Sequence, residues 1–173
     1  MHKISKNYLE EQKQLHSDIN YGTASLQHVT TIKNLLINTK IKTISDYGAG
    51  KKNLQKGLLN SGFTDFEYFP YDPVFPEYGE PVAADLVCCI DVMEHIENEF
   101  LEEVLDEIKN ITLKLSYFSI GTKPAQKKLS DGRNAHLIQK PARWWLPKLC
   151  ERFDIEHFRA SSNNFIVLCK SMK

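Results

Sequence analysis

The stretch Ile44-Ser45-Asp46-Tyr47-Gly48-Ala49-Gly50 decides the fold. It joins a short strand beginning at Ile41 to a helix whose apolar positions, Leu54, Leu58 and Leu59, stop at Ser61-Gly62. A glycine turn at such a junction lets the backbone approach a ligand with no Cβ in the way. It also leaves free N–H groups at the helix start to face that ligand. A second strand is expected over Phe66-Glu67-Tyr68-Phe69-Pro70-Tyr71-Asp72, so the chain from Ile41 to Asp72 reads as a β-α-β unit.

The glycine spacing narrows the ligand. A nicotinamide-binding turn, G-x-G-x-x-G, needs a third glycine where Asn53 stands, which weakens a dinucleotide reading. Asp46, at the carboxyl end of the first strand, suits an amino group or a bound water better than a pyrophosphate. The turn therefore favours a cationic ligand over a diphosphate.

Outward from this unit, the segment 73–83 contains Pro73, Pro76, Gly79 and Pro81 and is expected to be irregular. Ala-Asp-Leu-Val-Cys-Cys-Ile, residues 84–90, reads as a strand buried on both faces, which suits the middle of a parallel sheet. Asn98 is placed to cap a helix whose apolar stripe is Phe100, Leu101, Val104, Leu105, Ile108 and Ile111. A strand near 114–120 and a polar loop from Gly121 to Gln139 follow. Pro141 then opens a helix with Trp145 and Leu149 inward, which Pro147 is expected to interrupt or end. Two short strands, near 154–159 and 164–170, close the chain around Ala160-Ser161-Ser162-Asn163. Before residue 40, Leu26, Val29, Ile32 and Leu36 form one helical stripe, and Tyr21-Gly22 breaks it from an earlier helical piece anchored by Tyr8, Leu9, Leu15 and Ile19.

This order predicts an α/β fold: a Rossmann-like, doubly wound, mostly parallel sheet with an antiparallel C-terminal hairpin strand, in three α/β/α layers under an N-terminal helical cap. A single domain is expected over 1–173, with the cap at 1–39 and the core at 40–173; 173 residues bury a core without disulfides or metals.

Composition excludes several classes. Lysine plus arginine equals aspartate plus glutamate at 22 each, which removes the broad basic footprint of a nonspecific nucleic-acid or membrane binder. No apolar run is long enough to cross a bilayer, and the start has no apolar segment of a secretory signal, so a cytoplasmic protein is expected. Cys88, Cys89, Cys150 and Cys169 lie in apolar surroundings with no C-x-x-C spacing. All four are expected to be core thiols, and no metal site is expected.

ISDYGAG resembles the first motif of class I S-adenosylmethionine-dependent methyltransferases, and ADLVCCIDVMEHI resembles their fourth strand and the segment after it, in the same order and about 40 residues apart. The likeness runs over residues 40–170. It implies S-adenosyl-L-methionine as cofactor. It puts Asp46 at the methionine end with Gly48 and Gly50 as the floor, Asp72 on the ribose hydroxyls, and Asp91, Val92 and Met93 beside the transferable methyl group, with Tyr47 also in the cofactor-binding set. Tyr21 joins this cofactor-binding set from the cap. With only 11 residues in 73–83, the family's next helix and third strand must be shortened or missing, leaving Glu80 as the one candidate for an adenine-binding carboxylate.

His95 and His136 are the candidate catalytic residues, able to take a proton from an acceptor near neutral pH, although His95 in its strand-to-helix turn also suits a loop-orienting role. Lys123 and Arg133 are available to an acidic acceptor or to solvent, and Trp144 and Trp145 to a helix core or a stacking platform. Asp91-Val92-Met93-Glu94 replaces the N/D-P-P-Y/F motif of many nucleic-acid methyltransferases. A small-molecule acceptor is therefore expected, with a nucleic-acid methyltransferase or a noncatalytic cofactor-binding module as the alternatives; no membrane partner is expected, and nothing in the sequence sets an oligomeric state.

Overall fold

The computed structural model describes residues 3–173. Its centre is a six-stranded sheet in the order β2-β1-β3-β4-β6-β5, where β1 is Thr43–Tyr47, β2 Glu67–Tyr71, β3 Ala84–Ile90, β4 Thr112–Gly121, β5 Phe153–Ala160 and β6 Asn164–Ser171. The first four strands run parallel, and β6 pairs antiparallel with both β4 and β5. The predicted doubly wound sheet with an antiparallel C-terminal hairpin is what forms.

The β3 sequence shows why helices cover both faces. Side chains alternate along a strand. Leu86, Cys88 and Ile90 pack with Ile44 and with helices α2 (Val29–Thr39) and α3 (Asn53–Asn60) through Ile32, Leu36, Leu54 and Leu58. Val87 and Cys89 pack on the other side with Phe118, Phe165 and Val167, under helices α4 (Leu101–Ile111) and α5 (Ala142–Cys150). In α4 the inward residues Leu101, Val104, Leu105, Ile108 and Ile111 recur every three or four positions, while Glu102 and Glu103 occupy the first turn, where the helix dipole favours acid.

The N-terminal cap is helix α1, Lys6–Ser17, followed by a turn at Gly22 (φ 77°) and a 3₁₀ stretch, Ala24–His28, that leads into α2. Ser5 caps α1 by accepting the Tyr8 N–H, and its own N–H and hydroxyl both donate to the Glu97 carboxylate, at 2.8 and 2.7 Å. The cap is thereby tied to the segment after β3.

Several local expectations are corrected. Asn98 does not cap α4: Phe100 N–H bonds to Glu97 C=O in a turn, and the helix starts one residue after Phe100. Pro147 neither ends nor splits α5, which runs on to Cys150. Leu26 and Ile19 are 47% and 82% exposed, because the turn and the 3₁₀ stretch break the 3.6-residue period ahead of Val29. Cys150 is exposed while the other three cysteines are buried; with Trp145 and Leu149 inward, the next position on α5 turns away from the sheet. No third strand forms over 73–83, which holds only a short 3₁₀ turn, Pro76–Tyr78, so β2 is the sheet edge, as the residue count required.

Candidate functional site

The chain leaves β1 toward β2 on one side and passes from β3 to β4 on the other, so the carboxyl ends of β1 and β3 flank a crevice where the winding reverses. A cavity of about 390 Å³ opens there, within the range of ligand pockets. The ends of β1 and β2 contribute Asp46, Tyr47, Gly48, Gly50 and Asp72 to its wall, and the end of β3 contributes Asp91 and Val92. Tyr21, His95 and His136 also line it. Residues expected to act together from four separate parts of the chain therefore meet around one space.

The glycine turn is built differently from the expectation. Gly48 and Ala49 both donate their N–H groups to the Tyr71 carbonyl, at 2.8 and 2.9 Å, and Gly50 N–H donates to Asp72 Oδ2 at 2.9 Å. The turn N–H groups are spent on the end of β2 and do not face the cavity. What the glycines supply is room: Gly48 lies at φ 80°, and a Cβ there would stand 2.3 Å from Val92 Cγ2. Asp72 accepts a second backbone bond from Val74 N–H at 2.9 Å, so the turn-forming role of an Asp-Pro pair is realised as well.

The cavity is acidic. Asp46 is 3% exposed and accepts a hydrogen bond from the Tyr68 hydroxyl; burial pushes its carboxyl up to about 7, the Tyr68 bond opposes this, and Asp72 adds to it. Burial also raises Asp72, against its two backbone bonds and His16. Asp91 sits at φ 53°, accepting from the Ser119 hydroxyl at 2.7 Å while its N–H bonds to the Ser119 carbonyl at 2.8 Å.

The roof of the site was missed in the sequence. Tyr8, Gln12 and His16 recur every fourth residue along α1, share one face, and all line the cavity. Tyr8 donates to the His95 carbonyl at 2.7 Å and accepts from Gln12 Nε2 at 2.6 Å. His16 packs edge-on against Tyr21 and Phe75, and its Cε1 lies 3.2 Å from where a Gly50 Cβ would be. Burial lowers its basicity, with Asp72 acting in the opposite direction. The i, i+4, i+8 spacing was the available signal, but it carries polar groups and a search for apolar stripes passes over it.

At the opposite end, the 3₁₀ turn Met93–His95 turns Glu94 inward and His95 toward the cavity. Glu94 is fully buried; its Oε1 accepts the Gly121 N–H at 2.6 Å and its Oε2 has no hydrogen-bond partner. Burial, reinforced by Asp91, pushes the Glu94 carboxyl up to about 8. Burial and the neighbouring His136 bring His95 down to about 3, so its imidazole is neutral, and its Nδ1 is buried without a partner. His136 stacks edge-on to His95 at 4.8 Å between ring centres, and its Nδ1 lies 2.6 Å from the Lys123 carbonyl. Met93 is buried in the core under α4 and does not line the cavity.

Other candidates fall away from the site. Lys123 and Glu80 are exposed and outside the cavity wall, and Arg133 is paired with Asp131 at 2.7 Å. Trp145 is fully buried in the core with Trp144 edge-on beside it, so both belong to the helix packing.

No protein-family model matches the chain, and no curated protein matches it by sequence. Solved structures do match. An O-methyltransferase family protein from Burkholderia thailandensis superimposes with a TM-score of 0.62 at 12% identity over 94% of this chain, which spans 61% of that protein's length. The 1,6-didemethyltoxoflavin-N1-methyltransferase of the same organism, solved with its namesake ligand and S-adenosylhomocysteine, gives 0.64 at 12% identity, covering 96% of this chain and 90% of its own. Magnesium protoporphyrin IX methyltransferase from Synechocystis, solved with bound S-adenosylmethionine, gives 0.59 at 13% identity, covering 96% and 92%. The chain therefore has the Rossmann-like fold of these methyltransferases.

Proposed function

We propose that the chain is an S-adenosylmethionine-dependent methyltransferase that passes a methyl group to a small-molecule acceptor by in-line displacement. The observation that carries this reading is the acidic cavity at the carboxyl ends of β1 and β3, whose wall holds Asp46, Asp72 and Asp91 and where glycine at position 48 lets Val92 pack directly against the turn. A buried carboxyl raised to about 7 by lack of solvent is a site prepared for a cation, and Asp46 lies there. The shared fold with methyltransferases solved with this cofactor or its product supports the same assignment.

In this reading Asp46 receives the amino end of the cofactor, Gly48 and Gly50 let it approach the backbone, and Tyr21 closes over it from the cap. Asp72 spends one lone pair of each oxygen on the turn and keeps the others for the ribose hydroxyls. Bound S-adenosylmethionine supplies an electrophilic methyl group on a cationic sulfur. Asp91 and Val92 border that methyl group, and His95 and His136 line the acceptor end, where the neutral His95 imidazole orients the acceptor and His136 orients it or takes its proton. Such a displacement gains most from proximity and orientation, which contribute up to about 7–11 kcal/mol in well-aligned systems. The residues of α1 that line the cavity, Tyr8, Gln12 and His16, would serve that purpose by confining the reactants.

The even balance of 22 basic and 22 acidic residues favours a small acceptor over a nucleic acid. Among the described residues no helix is long and apolar enough to cross a membrane, and the four unpaired cysteines fit a reducing compartment, so we place the protein in the cytoplasm. The test is transfer of a radiolabelled methyl group from S-adenosylmethionine to a metabolite extract and, separately, to total RNA and DNA. Label in a small molecule is the expected result. Label in nucleic acid alone would replace the acceptor class, and cofactor binding with no transfer to any fraction would make the chain a binding module.

A further inference from the structure

Glu94, His95 and His136 place one ligand atom each within 4.8 Å of one another. Three features mark this as a built arrangement. The first is that two side-chain atoms of these residues, Glu94 Oε2 and His95 Nδ1, are buried without any hydrogen-bond partner, a costly state for polar atoms unless something absent from the protein itself satisfies them. The second is the absence of a side chain at Gly121: a Cβ there would stand 2.6 Å from Glu94 Oε1 and 2.8 Å from His136 Cε1, so only glycine lets the two approach. The third is anchoring of the segment that carries them: the Ile138 N–H donates to the main-chain carbonyl of Glu94 at 3.0 Å and the Tyr8 hydroxyl to that of His95, while the His136 Nδ1–H donates to the Lys123 carbonyl and leaves the Nε2 lone pair free. A metal-binding histidine is commonly held in this way by a second partner on its other ring nitrogen.

We propose that Glu94, His95 and His136 bind a divalent first-row transition metal ion whose remaining coordination positions are open to the cavity and take a hydroxyl oxygen of the acceptor. Two imidazoles and a carboxylate form a borderline donor set that favours such an ion over calcium or magnesium. Bonds of about 2.0–2.2 Å put neighbouring ligand atoms roughly 3–3.5 Å apart, so the side chains draw in slightly on binding. Three protein ligands leave at least one position for another molecule. His95 and His136 line the cavity beside Asp91 and Val92, so that position is reached from the cavity. The role given to the acceptor rests on the methyltransferase reading; the metal site itself does not. An absence of cysteine spacing says nothing about this set, because its ligands are one adjacent pair and a residue about 40 positions later in a loop.

The test uses full-length, tag-free protein treated with a chelator and titrated with Zn²⁺, followed by X-ray absorption at the zinc edge. One zinc per chain in a shell of two imidazole nitrogens with oxygen is expected, and a Kd at least tenfold higher in His136→Ala and in Gly121→Ala, which keeps all three ligands but crowds them. No saturable binding, a shell containing sulfur, or folded variants that bind as the wild type overturns the site. If a variant loses its cooperative melting transition, the shell seen in the wild type decides alone. S-adenosylhomocysteine is titrated into the same sample. Zinc binding without it keeps the metal site and removes the methyltransferase reading, and the reverse removes only the metal site.

Discussion

Gly48 and Val92, at the ends of β1 and β3, are packed so closely that a Cβ on the first would lie 2.3 and 2.9 Å from the two methyl carbons of the second. The φ of 80° at Gly48 adds backbone strain to any side chain placed there. Gly48→Ala is therefore expected to destabilise the fold by about 1–3 kcal/mol and to abolish S-adenosylhomocysteine binding. Val92→Gly in the same chain removes the clash and is expected to recover part of the stability. Urea unfolding measures both, and a Gly48→Ala protein as stable as the wild type would contradict the close packing.

Asp46 makes stability fall with rising pH. An unfolded aspartate titrates near ~3.9, whereas burial holds this one to about 7. Between those values the folded state keeps a proton that the unfolded state has lost, so stability declines as pH rises through the interval, by at most ~1.4 kcal/mol per pH unit, and levels off above it. Asp46→Asn removes this contribution. Asparagine still offers an acceptor to Tyr68, so the variant is expected to gain stability relative to wild type between pH 5 and pH 8. Urea midpoints whose difference stays flat over that range would refute the raised carboxyl.

Tyr8 joins the cap to the turn that carries His95. The residue is 3% exposed, and its hydroxyl serves both the His95 carbonyl and Gln12. Tyr8→Phe leaves those two groups buried and unpaired, so a loss of about 1–3 kcal/mol is expected in thermal or urea unfolding. A change near zero would mean that water reaches the site under α1.

Asp72 holds the turn and, in the proposed function, the ribose. Asp72→Asn must turn an NH₂ toward either the Gly50 or the Val74 N–H, two donors face to face. Stability is expected to drop by about 1–3 kcal/mol and S-adenosylhomocysteine affinity to fall roughly tenfold or more. Lower stability with unchanged affinity would confine Asp72 to the turn.

The sheet was legible because its signals are local and redundant. β3 reads correctly from Ala84 to Ile90 since six of its seven residues are apolar or small, with only Asp85 polar, which leaves little else for that stretch to be. The missing strand before it followed from counting residues 73–83. The floor of the cavity was legible for a similar reason: Asp46, Gly48, Gly50 and Asp91 lie at strand ends, where topology alone brings them together. The rest depended on long-range geometry. That the turn N–H groups of Gly48 to Gly50 point to Tyr71 and Asp72 follows from how β2 ends beside them. Gln12 and His16 reach the cavity because α1 is anchored by Ser5 and Tyr8 to the segment after β3. Glu94 and His136 meet because Gly121 has no side chain, a reason written at a third position far from either in the chain.

If the crevice between β1 and β3 binds S-adenosylmethionine, calorimetric titration with its product S-adenosylhomocysteine will show it. One molecule per chain is predicted, with binding lost in Gly48→Val and in Asp46→Ala proteins that still melt cooperatively. Absence of saturable binding to the wild type, or affinity unchanged in both variants, would contradict the account.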